Sequence, residues 1–220
     1  MAGGVAFFLL KGGDDSPDDG INPTDHAIAS FPPEANPVHF SLSGTTTVAT
    51  VTKSKADQAQ VNRAAKDIRD TLANMYTVAY TDPNHWESGD YDAVFTFFQE
   101  GTAADSAERD VATLTLGANA GDTYDEVKQR HTGLRVKILT DKGGAPFTAA
   151  ATADFSADAQ TKDGSNMLIK SHATYYLQHG EGGWVIVAYK ANRRDGGSGG
   201  KGGSGSTTPA TSSATSGASQ

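Results

Sequence analysis

Cysteine is absent from the 220-residue chain, which excludes disulfides, thiolate metal sites and cysteine nucleophiles. The other common metal ligand is scattered. His26, His39, His85, His131, His172 and His179 include no pair four residues apart, and no His-Glu-x-x-His occurs. No metal site and no cofactor are expected. Gly200-Lys201 suggests a phosphate loop, but that pattern needs glycine where Asp195 stands and Ser or Thr where Gly202 stands.

Positive charge is also in deficit. Lys and Arg number 18 against 26 Asp and Glu, a net charge of −8. That balance argues against a nucleic-acid surface, which needs a basic stripe, and against electrostatic docking on anionic lipid. Apolar residues make up 37% of the chain, below the usual share of about 45–50%, and the shortfall lies at the two ends.

Residues 5–10 form an apolar run that stops at Lys11. A bilayer span takes about 20 residues, and neither a basic n-region nor a small-residue cleavage site accompanies the run. Residues 1–11 therefore read as the remnant of a longer apolar anchor, with the start misassigned or trimmed. Residues 12–37 carry Asp14, Asp15, Asp18 and Asp19 among Pro17, Pro23, Pro32, Pro33 and Pro37. This composition predicts a disordered acidic linker. Residues 196–220 are almost wholly Gly, Ser, Thr and Ala and predict a disordered tail.

The folded part is expected over residues 38–195, with its core in 54–195. Val38, Phe40 and Leu42 alternate with polar residues as a short strand does, with a turn at Gly44 and a second extended piece to Val51. Ser54 offers a helix cap. Val61, Ala65, Ile68, Leu72, Met75 or Tyr76, and Ala79 then mark one face of an amphipathic helix over 55–80. Asp82-Pro83 ends it, because the residue before proline avoids the α region. A short helix over 91–99, capped by Asp90 and stopped at Gly101, and a third over 103–116, closed by Gly117, complete the helical half.

The period then switches to two. Leu134, Val136 and Ile138 open a strand, and Asp141-Lys142-Gly143-Gly144 signals a hairpin. Residues 146–157 follow, with Phe147, Ala149, Ala151, Ala153 and Phe155 on one face. Further strands run over 166–178 and 184–191. Helices followed by an uninterrupted meander predict an α+β domain.

Three stretches carry a resemblance. Trp86-Glu87-Ser88-Gly89-Asp90-Tyr91, Leu114-Thr115-Leu116-Gly117, and Gly183-Trp184-Val185-Ile186 with Tyr189 and Arg193-Arg194-Asp195 are similar to the NTF2-like (cystatin-type cone) superfamily. The likeness is to exported, membrane-tethered members of unknown function from high-GC Gram-positive bacteria. It implies three N-terminal helices packed on a curved four-stranded antiparallel meander, closing a cone-shaped apolar cavity. It also implies a location on the extracytoplasmic face of the cell membrane, or secretion. Enzymes of that superfamily set an acid or base and a hydrogen-bond donor inside the cone.

Here the conceivable acids are Asp90, Asp92 and Asp154, and the conceivable donors Tyr76, Tyr80, Tyr175 and Tyr176. Asp90 also reads as a helix cap, Asp154 as a solvent-facing strand residue, and Tyr76 and Tyr80 as core aromatics. None matches a catalytic motif. The stripe of alanines either admits a helix closely or leaves a cavity. In the second case Leu72, Tyr76, Phe95, Phe98, Phe147, Phe155 and Trp184 would line a site for a small apolar ligand. The other sheet face has apolar members as well. Leu168, Tyr176, Val185, Val187 and Tyr189 are its candidate interface, for a homodimer or an envelope protein partner. The expectation is a non-catalytic, extracytoplasmic accessory or interaction domain. The alternative is a small apolar ligand binder, or an isomerase- or dehydratase-like enzyme using the cone.

Overall fold

The computed structural model describes residues 35–48, 56–197 and 208–212; the apolar run at residues 5–10, nearly all of the acidic linker and Ser54 lie outside them. Helix α1 (Gln58–Tyr76) is capped by Asp57, whose carboxylate accepts from the backbone N–H of Ala59 at 2.9 Å and Gln60 at 3.3 Å. Its buried face is Val61, Ala64, Ala65, Ile68, Leu72, Met75 and Tyr76, the stripe that the spacing predicts.

The expected helix to residue 80 changes character at Thr77. A π turn (Thr77–Thr81) widens the last coil, closed by Asp82 N–H donating to Thr77 O at 2.9 Å. The incoming chain causes the difference. Val38 N–H donates to Thr77 Oγ1 at 2.8 Å, and the Thr81 hydroxyl donates to Asn36 O at 2.5 Å. Residues 35–41 thus run as an extended segment against the helix end, burying Val38 and Phe40. Asp82 stops the helix as expected and caps α2 (Pro83–Trp86), accepting from Asn84 N–H at 3.0 Å.

The two remaining expected helices are broken. Only Asp92–Phe95 (α3) is helical in the first. Residues 97–99 leave the helix to pair with a strand edge: Gln99 N–H donates to Ile186 O at 2.8 Å, and Ile186 N–H to Phe97 O at 3.0 Å. The second divides at Asp110 into α4 (Thr102–Arg109) and α5 (Val111–Leu114), because the Asp110 carboxylate turns to accept from the Tyr189 hydroxyl at 2.6 Å. A last turn, α6 (Ala120–Thr123), leads into the sheet.

The sheet has six strands in the order β1-β2-β3-β4-β5-β6. β2 (Tyr124–Thr140), β3 (Pro146–Thr161), β4 (Asn166–Gly180) and β5 (Gly183–Gly197) form the antiparallel meander. β1 (Leu42–Val48) lies parallel to β2. At Gly44 the chain makes a register shift within β1 rather than a turn. β6 (Thr208–Ser212) pairs antiparallel with β5, so the stretch read as a featureless tail supplies an edge strand. β2 begins ten residues before Leu134, where its polar residues conceal the alternation. The domain is α+β, with the core between α1 and the sheet face that carries Leu134, Val136, Ile138 and the alanines of β3.

Two bulges decide which side chains reach that core. Tyr176 pairs with Ala188 and Leu177 with Ile186, so Val187 is an extra residue in β5. One extra residue reverses the alternation beyond it. Trp184 and Ile186 are buried before the bulge, Tyr189 and Ala191 after it. Tyr189, expected on the interface face, is therefore a core residue at 1% exposure. At the β2–β3 hairpin Leu139 pairs with Thr148 and Thr140 with Pro146. This leaves Phe147, expected in a cavity wall, without a partner on β2 and 38% exposed at the rim.

Candidate functional site

The interior where a cone cavity is expected holds an aromatic cluster. Tyr76, from the last turn of α1, is its centre. Its ring lies 5.1 Å from Phe40, 5.4 Å from Tyr80, 5.3 Å from Phe155 and 6.3 Å from Tyr175, and Tyr80 lies 4.9 Å from Phe155. The alanines of β3 leave the space that these rings occupy. The hydroxyls engage one another: Tyr175 donates to Tyr76 Oη at 3.2 Å, Tyr76 Oη lies 3.3 Å from Ser171 Oγ, and Tyr80 donates to Thr113 O at 3.4 Å.

The seven candidate cavity residues do not converge. Leu72, Tyr76, Phe98, Phe155 and Trp184 are buried, Phe95 is half-buried and Phe147 is exposed. Tyr76 and Phe155 meet in the cluster. Phe98 instead packs edge-on to Tyr189 at 5.5 Å, and Trp184 packs on His179 at 5.2 Å near the β4–β5 hairpin.

No candidate acid points inward. Asp90 is exposed and accepts from Asp92 N–H at 3.1 Å, but the N-cap of α3 is Tyr91 and not the expected Asp90. Asp92 is exposed in the first turn of α3. Asp154 lies on the outer sheet face, 2.6 Å from His172 Nδ1 and 3.7 Å from Arg135 Nη2. Among the described residues the buried carboxylate is Asp82, held by its capping bonds to Asn84. No group of three His, Asp or Glu side chains in reach of one metal ion occurs among the described residues.

Burial raises the hydroxyl pKa of Tyr76, Tyr80 and Tyr175 above the ordinary 10.0. It does the same for Tyr91, Tyr124 and Tyr189, with Asp110 adding to the rise at Tyr189. A raised folded-state pKa means that the unfolded chain ionises first. This contribution to stability is intact below pH 10 and is lost progressively above it. An alkaline titration followed by tyrosinate absorbance should therefore show most of the signal appearing cooperatively with unfolding. Independent ionisation of most tyrosines near pH 10 with the fold intact would contradict a packed aromatic interior.

The candidate interface residues also separate. Tyr176 is 47% exposed, and Val185 and Val187 are half-buried near it at the β4–β5 hairpin end. Leu168 is half-buried eight residues away along β4, about 26 Å at the strand rise. Two open depressions lie outside the aromatic cluster. One of about 370 Å³ is lined by Glu87, Gly121, Asp122, Tyr124, Asp125 and Lys162. The other, of about 640 Å³ along the β1–β2 margin, includes His39, Gln129, Arg130, His131, Arg135 and Asp154.

Sequence reasoning missed the Arg193 cluster. Its guanidinium donates to the carbonyls of Ala112 (3.2 Å) and Thr115, to Tyr124 Oη at 3.4 Å, and to Asp195 in a bidentate pair. Burial alone would lower its pKa, but the Asp195 carboxylate together with Tyr80 and Tyr124 outweighs that and raises it. The available signal was an Arg and an Asp two apart, on one face of a strand that continues beyond residue 191.

No family model, curated protein or solved structure matches the chain.

Proposed function

We propose that the chain is a non-catalytic accessory or interaction domain of the NTF2-like kind, working outside the cytoplasmic membrane and tethered to it. The observation that carries this reading is the filled interior. Tyr76, Tyr80, Tyr175 and Phe155 occupy the space a ligand would need, and no carboxylate stands among them. Proton-transfer chemistry in a cone requires an acid or base in contact with the substrate. Recognition then falls to the outer surface. A helical half followed by a four-stranded meander supports the cone architecture. The rival reading, a small apolar ligand binder or isomerase-like enzyme, draws on the buried Tyr175–Tyr76–Ser171 hydroxyls, but these are engaged by one another.

The partner, a second copy or an envelope protein, would bind at the hairpin end of the outer face. Tyr176 there stands between Ala150 and Ala188 on the neighbouring strands, with its ring exposed. For self-association, sedimentation equilibrium should give a dimer. Tyr176→Glu should weaken it by about 2 kcal/mol or more, at least about thirtyfold in Kd, with the melting of the monomer unchanged. A wild-type chain that stays monomeric at every concentration would contradict the self-association.

A further inference from the structure

The net charge of −8 conceals a polarised distribution. Residues 82–108, on the helical side, expose Glu87, Asp90, Asp92, Glu100, Asp105 and Glu108 and hold no Lys or Arg. The outer sheet face has the opposite sign. β2 exposes Lys128, Arg130, Arg135 and Lys137 there. Lys170 of β4 stands in register with Arg194 of β5, and Lys190 lies four residues before Arg194 on the same strand. Between these columns β3 presents the small side chains of Ala150, Thr152 and Ser156.

The acidic groups on this face are matched. Glu126 lies 2.6 Å from Lys128, Asp158 2.9 Å from Arg130, and Asp154 2.6 Å from His172. Lys137, Lys170, Lys190 and Arg194 have no carboxylate within ion-pair reach among the described residues.

We propose that this basic face docks the domain on an anionic lipid bilayer. Arg130 and Arg135 border the depression on the β1–β2 margin, but Lys137, Lys170, Lys190 and Arg194 spread over the sheet outside it, which suits a layer of headgroups and not a single bound anion. Lysine is depleted from the cores of protein interfaces, and a second copy laid over the Lys170–Arg194 end of the face would oppose cation to cation. Screening explains why the net charge does not decide the matter. The Debye length in physiological salt is about 8 Å. Exposed charges farther apart than this are largely screened from one another, so the outer cations that touch the headgroups count for more than the acidic groups of the helical half. Juxtamembrane Lys and Arg are attracted to such surfaces within that length. The proposal rests on charge placement and needs neither the tether nor the self-association.

The test is co-sedimentation of the full chain with vesicles of phosphatidylcholine containing one-third phosphatidylglycerol, read as the excess over binding to pure phosphatidylcholine. The excess should be present in low salt and fall in physiological salt. Lys170→Glu combined with Arg194→Glu should reduce it at least about tenfold. Arg63→Glu combined with Lys66→Glu makes the same change in net charge on exposed α1 positions and should alter it by less than about twofold. No excess, an equal loss in both double variants, or preference for a short DNA duplex over the vesicles would each overturn the proposal.

Discussion

Replacing Arg193 by Met is expected to destabilise the domain by about 3–5 kcal/mol, a shift of the urea midpoint by about 2 M. The side chain is 12% exposed, and its bonds hold three separated parts of the chain together. The carbonyls of Ala112 and Thr115 belong to α5 and its C-cap, Tyr124 begins β2, and Asp195 lies near the end of β5. Methionine can fill the volume of the stem but supplies no donor, so the Thr115 carbonyl and the Asp195 carboxylate lose their partner in a largely dry site. Arg193→Lys keeps the charge without the planar fork and should remain destabilised by about 2 kcal/mol. A change of less than about 0.5 kcal/mol for either variant, the range of an ordinary surface position, would mean that the guanidinium does not join these elements.

Gly89→Ala should cost about 2–4 kcal/mol, seen as a lowered melting temperature. Two effects add. Gly89 has φ +71°, where a side chain costs about 1–2 kcal/mol. A Cβ there would also lie 2.5 Å from the carbonyl oxygen of Ala118, an overpacking of about 1–3 kcal/mol. The same close approach is made from the other side by Gly121, whose Cβ would lie 2.2 Å from Glu87 O. The turn after α2 and the start of α6 thus touch backbone to backbone, through glycines on both. Since both substitutions break one contact, Gly89→Ala and Gly121→Ala together should cost less than their sum. A full sum would mean that the two glycines act separately. The Trp86–Tyr91 stretch and Arg193, both part of the resemblance to cone proteins, are thereby read as scaffold and not as chemistry.

Much of this scaffold was legible. The inward alternation of Leu134, Val136 and Ile138, the alanines of β3, the α1 stripe and the Asp82 stop all follow from period and cap chemistry. What was not legible came from pairing. No residue type announces that Val187 is a bulge, yet that residue moves Tyr189 from surface to core. The unpaired Arg130 does the same to the phase of β2, which hid its first ten residues. Asp110 breaks a plausible helix because a tyrosine 79 residues away claims its carboxylate. Residues 97–99 look helical by composition, but an open strand edge takes their backbone. The charge polarity was hidden for a similar reason. Lys170 and Arg194 are far apart in the sequence and become neighbours only through the register of β4 to β5, and the register of β2 to β4 sets Lys137 on the same face, level with Tyr176.

The central claim is that the aromatic interior is structure and that recognition occurs on the outside. Native mass spectrometry of the full chain, purified without denaturation, tests it most directly. The account predicts the mass of the polypeptide, alone or as an integral multiple, with no small molecule attached. A stoichiometric adduct of a few hundred daltons that is released only on unfolding would contradict it, because the Tyr76 cluster would then be a ligand site and not a core.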